Sequence, residues 1–98
     1  MKNKKTISPY IGRIKYKTAK ARDIHIMFER GDRVVLEFSE GFYAVIMHSF
    51  KNAKRNIDGS FARTSDNKPI YFYLFMLAGG NGFIDNVDSE KEFSYYIQ

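Results

Sequence analysis

The sequence predicts a single α+β domain: an antiparallel meander sheet of four to five strands with a C-terminal helix packed on one face. A small SH3-like β-barrel is the alternative, since a meander of this length can curl on itself. Three observations point there. Residues 24–50 alternate apolar and polar side chains through three segments separated by glycine-containing turns, residues 70–77 are apolar on both faces, and residues 89–98 open with a helix-start signature.

The three-segment meander organises the rest. In strand period Ile24, Ile26 and Phe28 share one face, and His25, Met27 and Glu29 the other, because successive side chains alternate across a pleated sheet. Arg30-Gly31-Asp32 is the first expected turn. A three-residue loop there sets Ile24 opposite Phe38, Ile26 opposite Leu36 and Phe28 opposite Val34, whereas a one-residue slip would send apolar residues to the wrong face. Ser39-Glu40-Gly41 is the second turn, its glycine third, where a type I turn plus bulge needs a left-handed backbone. Phe38 then closes against Phe42, Leu36 faces Ala44 and Val34 faces Ile46.

Upstream, residues 1–9 read as a flexible basic arm, and residues 10–98 as the domain. Residues 10–17 alternate again, with Tyr10, Gly12, Ile14 and Tyr16 on one side and Ile11, Arg13, Lys15 and Lys17 on the other. The charged stripe is either an edge that lysines guard against pairing with other chains or a ligand-contacting edge. Residues 18–23 connect this strand to the meander, with room for one helical turn.

Downstream, residues 51–68 show no sustained periodicity, with a turn at Ile57-Asp58-Gly59-Ser60 and Phe61 as a candidate buried anchor. Loops of this length in small domains are usually functional or mobile. Pro69 opens a strand whose two faces, Ile70, Phe72, Leu74 and Met76 against Tyr71, Tyr73, Phe75 and Leu77, are both apolar. That suits a central strand covered on both sides. Gly79-Gly80-Asn81-Gly82 is a turn; as a phosphate cradle it lacks the Lys-Ser/Thr ending and a following helix. Ser89 with Glu92 forms a capping box, Glu90 and Glu92 sit at the positive end of the helix dipole, and Phe93, Tyr96 and Ile97 share a helical face directed at the sheet.

A chain of 98 residues buries roughly 60–70% of its unfolded surface, enough for a core without staples. It has no cysteine, which removes a disulfide framework and thiolate metal sites and favours a cytoplasmic setting. The basic start Met1-Lys2-Asn3-Lys4-Lys5 is followed by Pro9, Gly12 and Arg13 rather than an apolar signal segment. The longest apolar run, residues 70–78, is far short of the ~20 residues that cross a bilayer. No membrane role is expected. Net charge is +5, yet residues 1–22 hold eight cations and no acid, leaving −3 on the remainder. Such lopsidedness speaks to partners, nucleic acid first among them, and not to fold.

No catalytic set stands out. Strand register separates His25 from His48, no spacing suggests a metal site, and neither a metal nor a cofactor is expected. Glu29 and Glu37 are neutralised near Arg33 and His25 in the same register, and no serine has a nucleophile setting. The run Val45-Ile46-Met47-His48-Ser49-Phe50-Lys51-Asn52 resembles the strand and basic tail near the end of small ribosome-dependent ribonuclease toxins. Their paired N-terminal helices are missing here, and nearly half the chain follows the run.

The expectation is therefore a non-catalytic domain that contacts nucleic acid through a Lys/Arg and aromatic sheet face, combining Arg13, Lys15, Lys17 and Arg33 with His25, Met27, Tyr43 and Met47. Lys20, Arg22, Lys51, Lys54, Arg55 and Arg63 complete the candidate binding set. The alternative is a small protein-binding inhibitor or regulator of a nucleoprotein machine, of viral or mobile-element type such as an anti-defence protein. It would use the same face with Met27, Met47 and Tyr43 as anchors, or Asp85, Asp88, Glu90 and Glu92 as phosphate mimics. A small ribonuclease toxin is the third reading.

Overall fold

A computed structural model describes residues 16–98. They form β1 (Lys17–Lys20), α1 (Ala21–Glu29), β2 (Val34–Ser39), β3 (Phe42–Ala53), β4 (Tyr71–Leu77), β5 (Phe83–Asp88) and β6 (Glu92–Ile97). The six strands make one antiparallel sheet in the order β1-β6-β2-β3-β4-β5. A sheet with one helix is thus the architecture, with more strands than expected and the helix at the other end of the described chain. The expected basic arm of residues 1–9, and the strand expected over residues 10–17 as far as Lys15, with Arg13 and Lys15, lie outside the described residues.

The first expected strand of the meander is a helix. Ala21 and Ile24 are fully buried, Met27 and Phe28 pack on the core, and Ile26 is 55% exposed. Those burials follow a helical period, which places residues three and four apart on one face. Arg30-Gly31-Asp32 ends this helix instead of joining two strands. Gly31, at φ +100°, donates its N–H to the Phe28 carbonyl at 3.0 Å, and the Asp32 N–H reaches the Met27 carbonyl at 3.0 Å. This is the paired bonding of a Schellman stop. At the other end, Lys20 provides no side-chain cap. The first N–H groups of the helix, those of Ala21 and Arg22, are taken instead by the carbonyls of Lys91 (2.8 Å) and Ser89 (3.2 Å), so the β5–β6 turn caps the helix.

The expected C-terminal helix is strand β6. The Asp88 carboxylate accepts the Glu90 N–H at 2.9 Å and the Asp88 carbonyl accepts that of Lys91 at 3.0 Å. The chain therefore turns sharply where the capping box was expected, and no helix begins at Ser89 for its side chain and that of Glu92 to cap. Beyond the turn Phe93 and Tyr95 alternate into the core, and β6 pairs with both β1 and β2, with Leu36 opposite Tyr95 and Ala19 opposite Phe93. Two ladders outweigh one short run of helical periodicity, and Phe, Tyr and Ile favour strands.

The β2–β3 hairpin forms as expected at its centre, with Leu36 opposite Ala44, while a bulge brings Ser39 rather than Phe38 opposite Phe42. Gly41 takes φ +77° in that turn. Downstream, the Gly79–Gly82 stretch closes the expected turn, Leu77 donating to the Gly82 carbonyl at 2.9 Å.

The sheet is rolled. β5 and β6 lie four strand positions apart, which in a flat sheet is about 19 Å, yet only Ser89, Glu90 and Lys91 join them. Four Cα steps reach at most ~14 Å, and the Lys91-to-Asp88 bond shortens that further. Curling brings α1 and the inner faces together around Ile24, Val34, Leu36 and Phe75, all fully buried. Each contributes roughly 1.5–3 kcal/mol by leaving water. The long strand β3 serves both halves of the roll: residues up to Val45 pair with β2, and those from Ile46 onward with β4.

Candidate nucleic-acid interface

Beyond Ala53 and Tyr71 the β3–β4 hairpin continues as an extension with two small leaves. The stem closes where Lys54 donates to the Ile70 carbonyl (2.9 Å), Ala62 to that of Lys54 (2.9 Å) and Ile70 to that of Ala62 (3.2 Å). Ala62 is buried at the fork, the role expected of Phe61, which is instead 47% exposed. The leaves are bridged at their bases by Arg55–Phe61 and Arg63–Pro69.

The two leaves repeat one local design. Each begins with an arginine whose Nη1 donates to the carbonyl four residues on, Arg55 to Gly59 at 3.0 Å and Arg63 to Asn67 at 3.2 Å. Each has an aspartate three residues after that arginine: Asp58 accepts from the Ser60 N–H and hydroxyl, and Asp66 from the Thr64 hydroxyl. Each then takes a left-handed residue, Gly59 at φ +87° and Asn67 at φ +67°. An Arg-x-x-Asp-Gly/Asn unit thus recurs after eight residues, glycine and asparagine being the residues that tolerate that backbone.

This geometry sets out charge. Lys51, Lys54, Arg55, Arg63 and Lys68 are all exposed. The only acids between them, Asp58 and Asp66, are occupied by turn hydrogen bonds, and that from the Ser60 hydroxyl holds the Asp58 carboxyl below its ordinary range. Lys51 lies over the Tyr71 ring at 4.2 Å and Arg55 over that of Phe61 at 4.3 Å, cation–π placements that steady both cations.

Next to the stem, the face of β3–β4–β5 turned away from the core carries an apolar row, with Asn52 and Asp88 flanking Phe72 at its stem end. Its pairings align His48 with Met76 and Met76 with Phe83, Phe50 with Leu74, and Asn52 with Phe72. Phe50, Met76 and Phe83 are 47%, 41% and 62% exposed, and the His48 and Phe50 rings stack 6.1 Å apart. The one described helix lies on the opposite side, where His25 meets Ser49. β4 is therefore buried on one face only, not on both.

The expected binding face is not assembled. His25 and Met27 sit on α1, Arg13 and Lys15 lie outside the described residues, and Tyr43 is covered by the Tyr16 ring at 4.9 Å and bonded to Ser94 at 3.3 Å. Lys20 and Arg22 both hold Glu90, at 2.8 and 2.7 Å, and the Lys20 hydrogen bond lowers the Glu90 pKa. Arg33 bonds Gln98 at 2.7 Å, and Lys17 stands exposed on the edge strand β1. Lys51, Lys54, Arg55 and Arg63 do gather, joined by Lys68. The exposed row of Phe50, Met76 and Phe83 was concealed by reading residues 70–77 as covered on both faces. The sequence pattern offered a single helix, too little to cover both faces of that strand, and this was the available signal.

The histidines are apart, but not through the expected strand register: His25 sits on α1 rather than on a strand, and the sides are the reverse of those the register assigned. His48 is exposed on the outer face, while the His25 Nδ1 lies 2.6 Å from the Ser49 hydroxyl on the inner side. Burial lowers the His25 pKa from its ordinary value, outweighing the upward pull of Glu29. Among the described residues no group of three His, Asp or Glu side chains is arranged for a metal ion, and no helix is long and apolar enough to cross a membrane. No protein-family model, curated protein or solved structure matches the chain.

Proposed function

We propose that the protein binds single-stranded nucleic acid, its bases on the outer face of β3–β4–β5 and its phosphates along the two-leaved extension. The observation that carries this reading is that the exposed Phe50 and Phe83 share an outer face along which β3 leads to the cations Lys54, Arg55 and Arg63. Every base has a π-face, so stacking demands unpaired bases and tolerates any sequence, and adjacent cations track the backbone. The role is binding without chemistry.

Fluorescence anisotropy with labelled 12-nucleotide RNA and DNA strands tests it. Phe50→Ala and Phe83→Ala should each weaken binding about fivefold to 150-fold, the loss of one stacked base at ~1–3 kcal/mol. Equal affinity for a duplex of the same sequence would refute stacking.

A second reading takes the same face as a protein contact, in an inhibitor or regulator of a nucleoprotein machine. Ile57, fully exposed at the tip of the first leaf, favours it, because a lone apolar tip suits a partner's pocket better than a phosphate chain. A defined partner recovered after nuclease treatment, and lost with Ile57→Asp, would select it.

A further inference from the structure

We propose that the cleft between α1, the foot of the extension and the β5–β6 turn binds one nucleotide unit, with its base on the apolar wall and its phosphate at Lys51 and Lys68. The cleft encloses about 600 Å³, within the roughly 300–1,000 Å³ of sites that hold compact organic ligands. It lies on the inner side of β3 and β4, so it is distinct from the aromatic row and does not depend on that row's function.

Four features carry the inference. Ile26, Pro69 and Ile70 line the cleft, which gives the exposed isoleucine of α1 a purpose and supplies a surface for a planar base. Lys51 and Lys68 line it too. Lys51 is steadied over Tyr71 and has no carboxylate within ion-pair distance among the described residues, while Lys68 has only a loose contact, 3.8 Å, to Asp66. His25 also lines the cleft, its Nδ1 engaged by Ser49 and its ring 5.2 Å from that of Tyr73. Its Nε2 is the ring nitrogen left for a ligand. Finally, of the acids of the far wall Glu90 is held by Lys20 and Arg22, while the Asp88 carboxylate is turned to the Glu90 N–H. A phosphate at the lysine end therefore meets one unpaired and one loosely paired ammonium, a donor set suited to it.

The unit can come from a free nucleotide or from a strand, and the test separates the two. The full-length protein is titrated with AMP, adenosine, inorganic phosphate and a 12-nucleotide strand, following the His25 and Tyr71 ring resonances by NMR. AMP or the strand should shift both saturably, with adenosine and phosphate each at least tenfold weaker. Lys51→Ala with Lys68→Ala should cost at least tenfold while leaving the circular dichroism unchanged. A response to the strand alone assigns the cleft to a nucleotide within a chain; a comparable response to AMP assigns it to the free form. Phe50→Ala should leave the AMP response intact, so failure of the stacking face and failure of the cleft are read separately. No saturable shift with either ligand, an equal shift with inorganic phosphate, or a response that survives loss of both lysines would overturn the proposal.

Discussion

Neutralising Lys54 and Arg55 together should change how binding responds to salt, by an amount the extension fixes. Single strands release counterions with a slope of about −0.7 in log K against log salt for each neutralised phosphate. With Lys54, Arg55 and Arg63 in contact the extension contributes about −2.1, so raising salt from about 50 to 200 mM weakens binding about twentyfold through these cations. Lys54→Gln with Arg55→Gln leaves one contact, a contribution of about −0.7 and a loss of only about threefold over the same range. Cations outside the extension, including those of residues 1–15, act equally on both proteins and cancel in the difference. Both side chains are exposed; Lys54→Gln should change stability by less than about 0.5 kcal/mol, and the Arg55 bond to Gly59 that is lost lies within one leaf. Anisotropy titrations at four salt concentrations measure the slopes. Parallel lines for the two proteins would show that the extension does not touch phosphate, whatever their absolute affinities.

Three further outcomes test the fold. Leu36→Ala should cost about 2–5 kcal/mol in urea unfolding, since Leu36 is fully buried in the strand between β3 and β6. Gly31→Ala should cost about 1–3 kcal/mol with nothing to clash against, because no atom lies within 4 Å of the added Cβ and the strain is wholly in φ +100°. For His25, whose folded pKa lies below its ordinary 6.5, the unfolded chain binds more protons as pH falls through 6.5. Stability is then fully present above that pH and lost below it, down to the folded pKa. His25→Gln should flatten that part of the thermal-melting profile; an unchanged acid limb would show that another group titrates there.

The hairpin of β2 and β3 was legible because both its strands carry period-two patterns and its glycine sits where the turn demands it. Residues 21–29 were ambiguous. Ile24 and Phe28 fit a strand face as well as a helix face, and short apolar runs do not decide between periods. Ala21 and the glycine at position 31 were the tie-breakers, the first extending the helical stripe and the second marking a helix end. The last strand failed for a different reason. Ser89, Glu90 and Glu92 are a sound local helix start, but the open edges of β1 and β2, remote in sequence, claim this segment. Local propensity is regularly overruled by such pairing. Of the candidate site, the cations of residues 51–63 could be read from charge alone. The twin leaves could have been found as an eight-residue repeat. The bare aromatic face needed the number of covering elements, a property of the whole fold.

Because each leaf closes on its own hydrogen bonds and the pair joins the stem through the bonds among Lys54, Ala62 and Ile70, foreign sequence inserted beside Ile57 or Ser65 strains little besides its own turn. A fluorophore, an affinity tag or a photo-crosslinker fits at either tip without disturbing the rolled body. Grafted one leaf at a time, such reporters would register whatever approaches the molecule from that end.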